Sequence, residues 1–185
     1  MMRKGLKWFD DKFIELINRN MKTHFFDKFM PRFTNLGGVI STTLIILLLL
    51  LFGKGQTRII GIQGAATLII SQTITYSLKT LLSRERPYNI LKNLNTFNII
   101  LKDYSFPSGH TSASFSIATT IALNMPKLSI LVFFVALLIG ISRIYLGVHY
   151  PTDVVAGLVL GVGSAIIVHN YLMNYILNLI RIFQP

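Results

Sequence analysis

Between Ile141 and Gly157 the chain reads ISRIYLGVHYPTDVVAG. Apolar runs lie on both sides, yet Ser142, Arg143, His149 and Asp153 are kept here. Polar and charged groups are expensive at membrane depth and are retained where they work. His149 and Asp153 are four residues apart, one helical turn if the following helix extends that far back. A carboxylate on one ring nitrogen fixes an imidazole's tautomer and raises the basicity of the other nitrogen. That arrangement prepares a nitrogen nucleophile. Elsewhere, Lys79 and Arg86 stand at the end of one apolar run, and Pro107-Ser108-Gly109-His110 opens another. Two arginine forks, one ammonium and a helix start made of small residues form a cradle for phosphate oxygens. His110 is then free to protonate a leaving group and afterwards to activate water.

Each residue also has a plainer use. Lys79 and Arg143 at span ends can snorkel to headgroups, and Asp153 can serve as a helix N-terminal charge. Convergence of all three clusters on one layer weighs against those uses. Arg84 and Glu85 read as a solvated pair, Ser112 and Ser114 as packing residues, His24 as a surface residue and His169 as an interfacial one. Gly147 reads as the room needed to bring His149 round.

The elements that must hold these residues are membrane spans. The 185-residue chain is 52% hydrophobic and 14% charged, with a mean hydropathy of +0.57. A soluble domain is normally about 25% charged. Residues 36–52, 59–82, 107–124, 128–146 and 151–173 are the span candidates, with Pro107 at a first helical position and Pro87 as the helix stop after the second. The expected fold is all-α: a membrane helical bundle of about five spans in a single domain, residues 1–185. Residues 1–36 would be an interfacial amphipathic region, with Trp8, Phe9, Phe13, Leu16 and Ile17 at helical spacing, and 37–185 the bundle. No apolar signal segment follows the positive start. In the polar stretch 84–105, Phe97 and Ile99–Leu101 read as dipping into lipid, and the tail from Asn174 as a separate amphipathic segment ending with Arg181. Antiparallel spans with short turns bring Lys79, Arg86, the start at Pro107, Arg143 and Asp153 to one face.

Composition narrows the partners. The net charge is +11, from 18 Lys and Arg against 7 Asp and Glu. The basic residues are spread among spans, which suits membrane lipids and an anionic substrate and argues against nucleic acid. There are no cysteines, so thiolate nucleophiles and Cys-based zinc sites are excluded. Seven acids, most of them in the N-terminal third, make a carboxylate-rich metal site hard to build. Gly157 and Gly161 form a small-residue face whose expected use is packing within the bundle, a homodimer contact being the other use.

Lys79 and Arg86-Pro87 separated by TLLSRE, the run Pro107 to His110, and Ser142-Arg143 with His149 and Asp153 behind it together resemble the three signature blocks of the type 2 phosphatidic acid phosphatase superfamily. These are integral membrane lipid phosphatases, related by fold to vanadium haloperoxidases and bacterial acid phosphatases. The resemblance covers roughly residues 59–163. It implies that His149 is the nucleophile and forms a phosphohistidine, that Asp153 orients it, and that His110 is the general acid. It implies that Lys79, Arg86, Ser108, Gly109 and Arg143 hold the phosphoryl oxygens, and that neither metal nor other cofactor is needed.

The function expected is hydrolysis of a lipid phosphate or diphosphate. Undecaprenyl diphosphate leads among substrates, with phosphatidylglycerol phosphate and phosphatidic acid as rivals. The three blocks read the phosphoryl group and not the tail. A non-enzymatic anion transporter would use the same cations but would not need His149 paired with Asp153, nor a second histidine. The resemblance places the site on the outer face of a cell membrane. The basic N-terminal stretch, from Arg3 and Lys4 to Arg32, argues through the positive-inside rule for the cytoplasmic face.

Overall fold

The computed structural model describes residues 2–182, and the side chains of Met2, Arg3, Lys4 and Arg181 and the end of the tail lie outside the described set. The described residues form helices and connecting loops. In order these are α1 (Met2–Glu15), α2 (His24–Phe33), α3 (Val39–Phe52), α4 (Gln56–Leu82), α5 (Pro87–Ile90), α6 (Gly109–Asn124), α7 (Ser129–Tyr145), α8 (Pro151–Ile167) and α9 (Met173–Ile182). Wide π-turns continue α1 through Leu16–Asn20 and join α8 to α9 through Val168–Leu172.

Three stretches are long and apolar enough to cross a membrane: Gln56–Ile90, which contains α4 and α5, Pro126–Tyr145, which contains α7, and Pro151–Ile180, which carries α8 into α9. The bent pair formed by α2 and α3, with 50° between its halves, makes a fourth candidate. The last span therefore continues where a separate tail segment is expected from Asn174. The central helix α6 has only 16 residues and is rich in Ser and Thr. It can be polar because it faces protein rather than lipid: Thr111 to Thr120 are all buried.

Hydroxyl and amide pairs line the seam between α4 and α6. Thr75 donates to Ser112 at 3.3 Å, Ser116 to Ser71 at 2.9 Å, and Thr120 to Thr67 at 3.5 Å. Asn124 donates to Gln63 at 2.8 Å, and His169 approaches the same Gln63 oxygen at 3.2 Å. His169 thus sits in a polar cluster at the end of α4 remote from Lys79. Such interhelical bonds contribute about 0.6 kcal/mol each. On its other side α6 meets α8 at close range. A Cβ on Gly157 would lie 2.6 Å from the Ser108 carbonyl oxygen, and one on Gly161 2.5 Å from that of Ser112. These glycines let two backbones touch within one bundle.

The N-terminal helix presents two faces. Trp8, Phe13 and Leu16 of the expected apolar stripe are exposed. The side packed on the bundle is Asp10, Ile14 and Asn18, spaced i, i+4, i+8, and all three are at most 2% exposed. Asn18 donates to the Tyr145 carbonyl at 2.6 Å and to the Asn95 carbonyl at 2.9 Å, while its own carbonyl accepts from the Asn95 amide. That single side chain ties the 91–105 loop to the turn that carries His149. Phe97 stacks on Tyr145 with centroids 5.8 Å apart, and Ile99 and Leu101 pack on the cluster of Met30, Tyr145, Leu146 and Val148. These three cover the turn, while Ile100 between them is exposed.

Candidate active site

Helix ends set the site. α4 stops at Leu82, where Ser83 takes a left-handed conformation at φ 45°, before Pro87 is reached. Pro87 instead opens the short α5. α6 begins at Gly109 rather than at Pro107, because Ser108 is the cap. The Ser108 hydroxyl accepts from the Thr111 hydroxyl at 2.8 Å and is fully buried. Its side chain is therefore committed to the helix cap and does not line the cavity described below. The amides of Gly109 and His110, in the first turn, have no intrahelical acceptor by position.

α7 ends at Tyr145, and the backbone then doubles back. The amides of Val148 and His149 both donate to the Arg143 carbonyl, at 3.2 and 3.3 Å. Gly147 makes that turn with φ 64°, and a Cβ there would crowd the Asn18 amide at 3.2 Å. α8 starts at Pro151, so His149 lies in the turn and not one helical turn before Asp153 on a common helix. Asp153 caps its own helix by accepting from the Tyr150 amide at 2.8 Å.

A cavity of about 490 Å³ brings together Lys79, Arg86, Gly109, His110, Arg143 and His149. Asp103 also lines it. Its lower wall is Val39 and Thr43 from α3 with Leu68, Ile69 and Tyr76 from α4. Val39, Ile69 and Tyr76 are strongly exposed, so the cavity reaches the outer surface between those two helices.

The tautomer of His149 follows from its neighbour. Arg86 Nη1 lies 3.3 Å from His149 Nε2, and a guanidinium has no acceptor. The lone pair must therefore be on Nε2, and the proton on Nδ1. Nδ1 faces Asp153 Oδ2 at 3.5 Å, longer than a formed hydrogen bond. Burial, followed by Arg143, Arg86 and Lys79, holds the His149 imidazole well below its usual pKa, so the ring is neutral. Its Nε2 lone pair points at a cation.

Arg143 is 3% exposed; one of its terminal nitrogens donates to Thr34 at 2.9 Å, and its Nε has no partner among the described residues. Lys79 and Arg86 are held from the loop side. Lys79 donates to Asp103 Oδ2 and the Tyr104 carbonyl, both at 2.7 Å. Arg86 donates to Asp103 Oδ1 at 2.7 Å and to the carbonyls of Val148 and Asp103 at 2.7 and 2.8 Å. Burial pushes the Asp103 carboxyl up, but Lys79 and Arg86 outweigh it and hold it at about 2. One carboxylate thus holds both cations in place at the cavity.

Asp153 has more partners than the spacing suggests. Its Oδ2 accepts from the Ser105 hydroxyl at 2.5 Å, and its Oδ1 from Arg84 Nη1 at 2.6 Å. Arg84 is thus no solvated partner of Glu85; its other arm donates to Asp10. Sequence reasoning missed Arg84, Asp10, Ser105, Asp103 and Thr34. Ser105 alone carried a signal, as a small polar residue just before the Pro107–His110 block.

The model of the PAP2 superfamily matches residues 61–176. The chain belongs to that superfamily. An undecaprenyl-diphosphatase from Sulfolobus acidocaldarius is 37% identical over 115 residues, 62% of this chain and 55% of that one. A bacitracin transport permease protein BcrC from Bacillus licheniformis is 38% identical over 113 residues, 61% of this chain and 56% of that one. The matched stretch thus spans just over half the length of these curated relatives. Among solved structures, Aquifex aeolicus LpxE aligns with a TM-score of 0.78 at 31% identity, covering 88% of this chain and 95% of that one. The Bacillus subtilis PAP2-type phosphatidylglycerolphosphate phosphatase shares the fold, with a TM-score of 0.73 at 23% identity over 97% of this chain and 90% of that one. The membrane-embedded all-α bundle is the fold of this superfamily.

Proposed function

We propose that this PAP2 chain is a membrane phosphatase that removes a terminal phosphoryl group from a lipid, through a phosphohistidine on His149. The observation that carries the reading is the 3.3 Å contact between Arg86 Nη1 and His149 Nε2. It puts a cation suited to phosphate and an unprotonated imidazole nitrogen side by side in one cavity, and an incoming phosphoryl group would draw the guanidinium from Nε2 to its own oxygens. The Nε2 lone pair attacks phosphorus, and the bond to the leaving oxygen breaks. His110 gives that oxygen a proton. Water then attacks the phosphohistidine, His110 takes its proton, and orthophosphate leaves. Lys79, Arg86, Arg143 and the amides of Gly109 and His110 stabilise the charge on the phosphoryl oxygens.

The preferred substrate is undecaprenyl diphosphate, a reading supported by relatives of that name in Sulfolobus acidocaldarius and Bacillus subtilis. The wall of Val39, Leu68 and Ile69 supplies apolar surface for a chain leaving sideways into lipid. A lipid phosphate monoester is the second reading, since it fits the same cradle and the same lateral opening. The deciding experiment measures phosphate release by the detergent-purified protein from a panel of lipid mono- and diphosphates, with chelator present. Release is expected in chelator, fastest from undecaprenyl diphosphate. A requirement for added Mg²⁺ would remove the metal-free mechanism, and no release from any of them would leave the transporter reading.

The site is proposed to lie on the outer face of the cell membrane, with the exposed Trp8, Phe13 and Leu16 stripe of α1 seated in the interface. The chain has no cysteine, so a single Lys102→Cys replacement in the exposed part of the 91–105 loop gives one reporter. A membrane-impermeant thiol reagent is expected to label it in intact cells. Labelling only after lysis would place the site inside.

A further inference from the structure

Asp10 is 2% exposed although it belongs to a helix whose opposite side carries the exposed Trp8. A buried carboxylate is costly unless it is paired. Asp10 Oδ2 accepts from Arg84 Nη2 at 2.6 Å and from the Thr152 hydroxyl at 2.7 Å, and its Oδ1 from the Thr152 amide at 2.9 Å. Arg84 spends its other arm on Asp153 Oδ1 at 2.6 Å, and its guanidinium lies 4.0 Å above the Tyr150 ring. The backbone carbonyl of Arg84 also accepts from the Ser105 amide at 2.8 Å, and the Ser105 hydroxyl bonds the other Asp153 oxygen. One guanidinium therefore bridges two carboxylates, and the second carboxylate faces His149 Nδ1.

We infer that Asp10, from the N-terminal helix, is a positioning residue for the reaction: acting through Arg84, it fixes Asp153 and leaves one net negative charge facing His149. Without Asp10 the Arg84 charge would cancel that of Asp153. The imidazole would then lose the carboxylate field that supports its positive phosphorylated form. With Asp10 in place, two carboxylates share one cation, and the surplus negative charge lies on the side of the ring away from the phosphoryl group. The N-terminal helix is then part of the active site and not only a membrane contact. This inference rests on His149 being the nucleophile.

The other charges around the imidazole come from separate elements. Lys79 faces it from α4, Arg86 from the segment after α4, His110 from α6, Arg143 from α7 and Asp103 from the 91–105 loop. Tyr150 flanks Arg84 on the same turn as His149, and Asp11 follows Asp10 on α1. None of these is altered by a change at position 10, so the acid limb of the rate profile reports the Asp10 charge. Asp10→Asn keeps the shape of the side chain and an acceptor for the Thr152 amide while removing the charge.

The test is the pH profile of phosphate release by detergent-purified wild type, Asp10→Asn and Asp10→Glu, with thermal unfolding as the check on folding. Asp10→Asn is expected to lower kcat about tenfold with KM within twofold of wild type. Its acid limb should move to lower pH, because His149 loses a neighbouring negative field and protonates less readily. Asp10→Glu should restore the limb to its wild-type position. A kcat within twofold of wild type overturns the inference. So does a loss of kcat with an unmoved acid limb, or a loss carried by KM. Should Asp10→Asn not fold, Arg84→Lys tests the same bridge: it keeps one positive charge but loses the two-armed grip. It should lower kcat and leave KM unchanged, and an unaffected kcat overturns the inference. A wild type that releases no phosphate strikes the phosphatase reading instead.

Discussion

His149→Ala is expected to reduce phosphate release from every lipid substrate by at least about 10⁴-fold. The side chain sits in the turn closed by two amides on the Arg143 carbonyl, and Gly147 alone permits that turn. Ala fits there without disturbing the backbone, so stability should change little compared with activity. Loss of the ring removes the only nitrogen whose lone pair is both buried with the cradle and within 3.3 Å of Arg86 among the described residues. Lys79 cannot take its place, being already engaged by Asp103 and Tyr104, and His110, the other imidazole on the cavity wall, lies on α6 and is assigned the proton transfers. A second measurement makes the prediction specific. Acid-labile, base-stable label from a radioactive terminal phosphate should appear on rapidly quenched wild type and be absent from the variant. A variant that keeps a tenth of the wild-type rate would show that water, and not His149, attacks phosphorus.

The parts of this site that were legible in the chain are those where a polar residue interrupts an apolar run. Lys79, Arg86, His110, Arg143 and Asp153 each stand at or beside a helix end, His149 stands in the turn between two helices, and the order of spans forces those ends into one layer. Five of them line one cavity, with Asp153 behind His149, as the topology of the spans requires. The hidden parts depend on docking angles. Asp10 reads as one of several charges on an amphipathic helix, and only the seating of α1 against α8 turns it towards Arg84. Asp103 reads as a loop charge until the loop folds back over the cations. Proline at a first helical position is a strong local signal and points to a start at Pro107, while Ser108 supplies the actual cap and α6 starts two residues later. The same logic explains α6 itself. Its Ser and Thr residues are poor material for a lipid-facing span, and they suit an enclosed helix whose hydroxyls pair across the seam with α4.

His110→Ala is expected to separate two substrate classes. His110 sits in the first turn of α6 and lines the same cavity as His149. A monoester must expel an alkoxide, whose conjugate acid is about as weak as water, with a pKa near 15.7. A diphosphate expels a lipid phosphate, which is stable as an anion and whose second pKa is about 6. Only the first needs a proton in the transition state. Loss of the acid should therefore slow lipid monoester cleavage about 10³-fold, within the usual span for general acid catalysis. Diphosphate cleavage should fall about tenfold. The remaining diphosphate loss reflects the second step, in which the same imidazole removes a proton from water attacking the phosphohistidine. Phosphoenzyme should accordingly accumulate in the variant during diphosphate turnover, because formation is spared more than breakdown. Equal losses on both substrates would mean that His110 serves mainly to hold the phosphoryl group. A larger loss on the diphosphate would mean that the proton is supplied from elsewhere in the cavity.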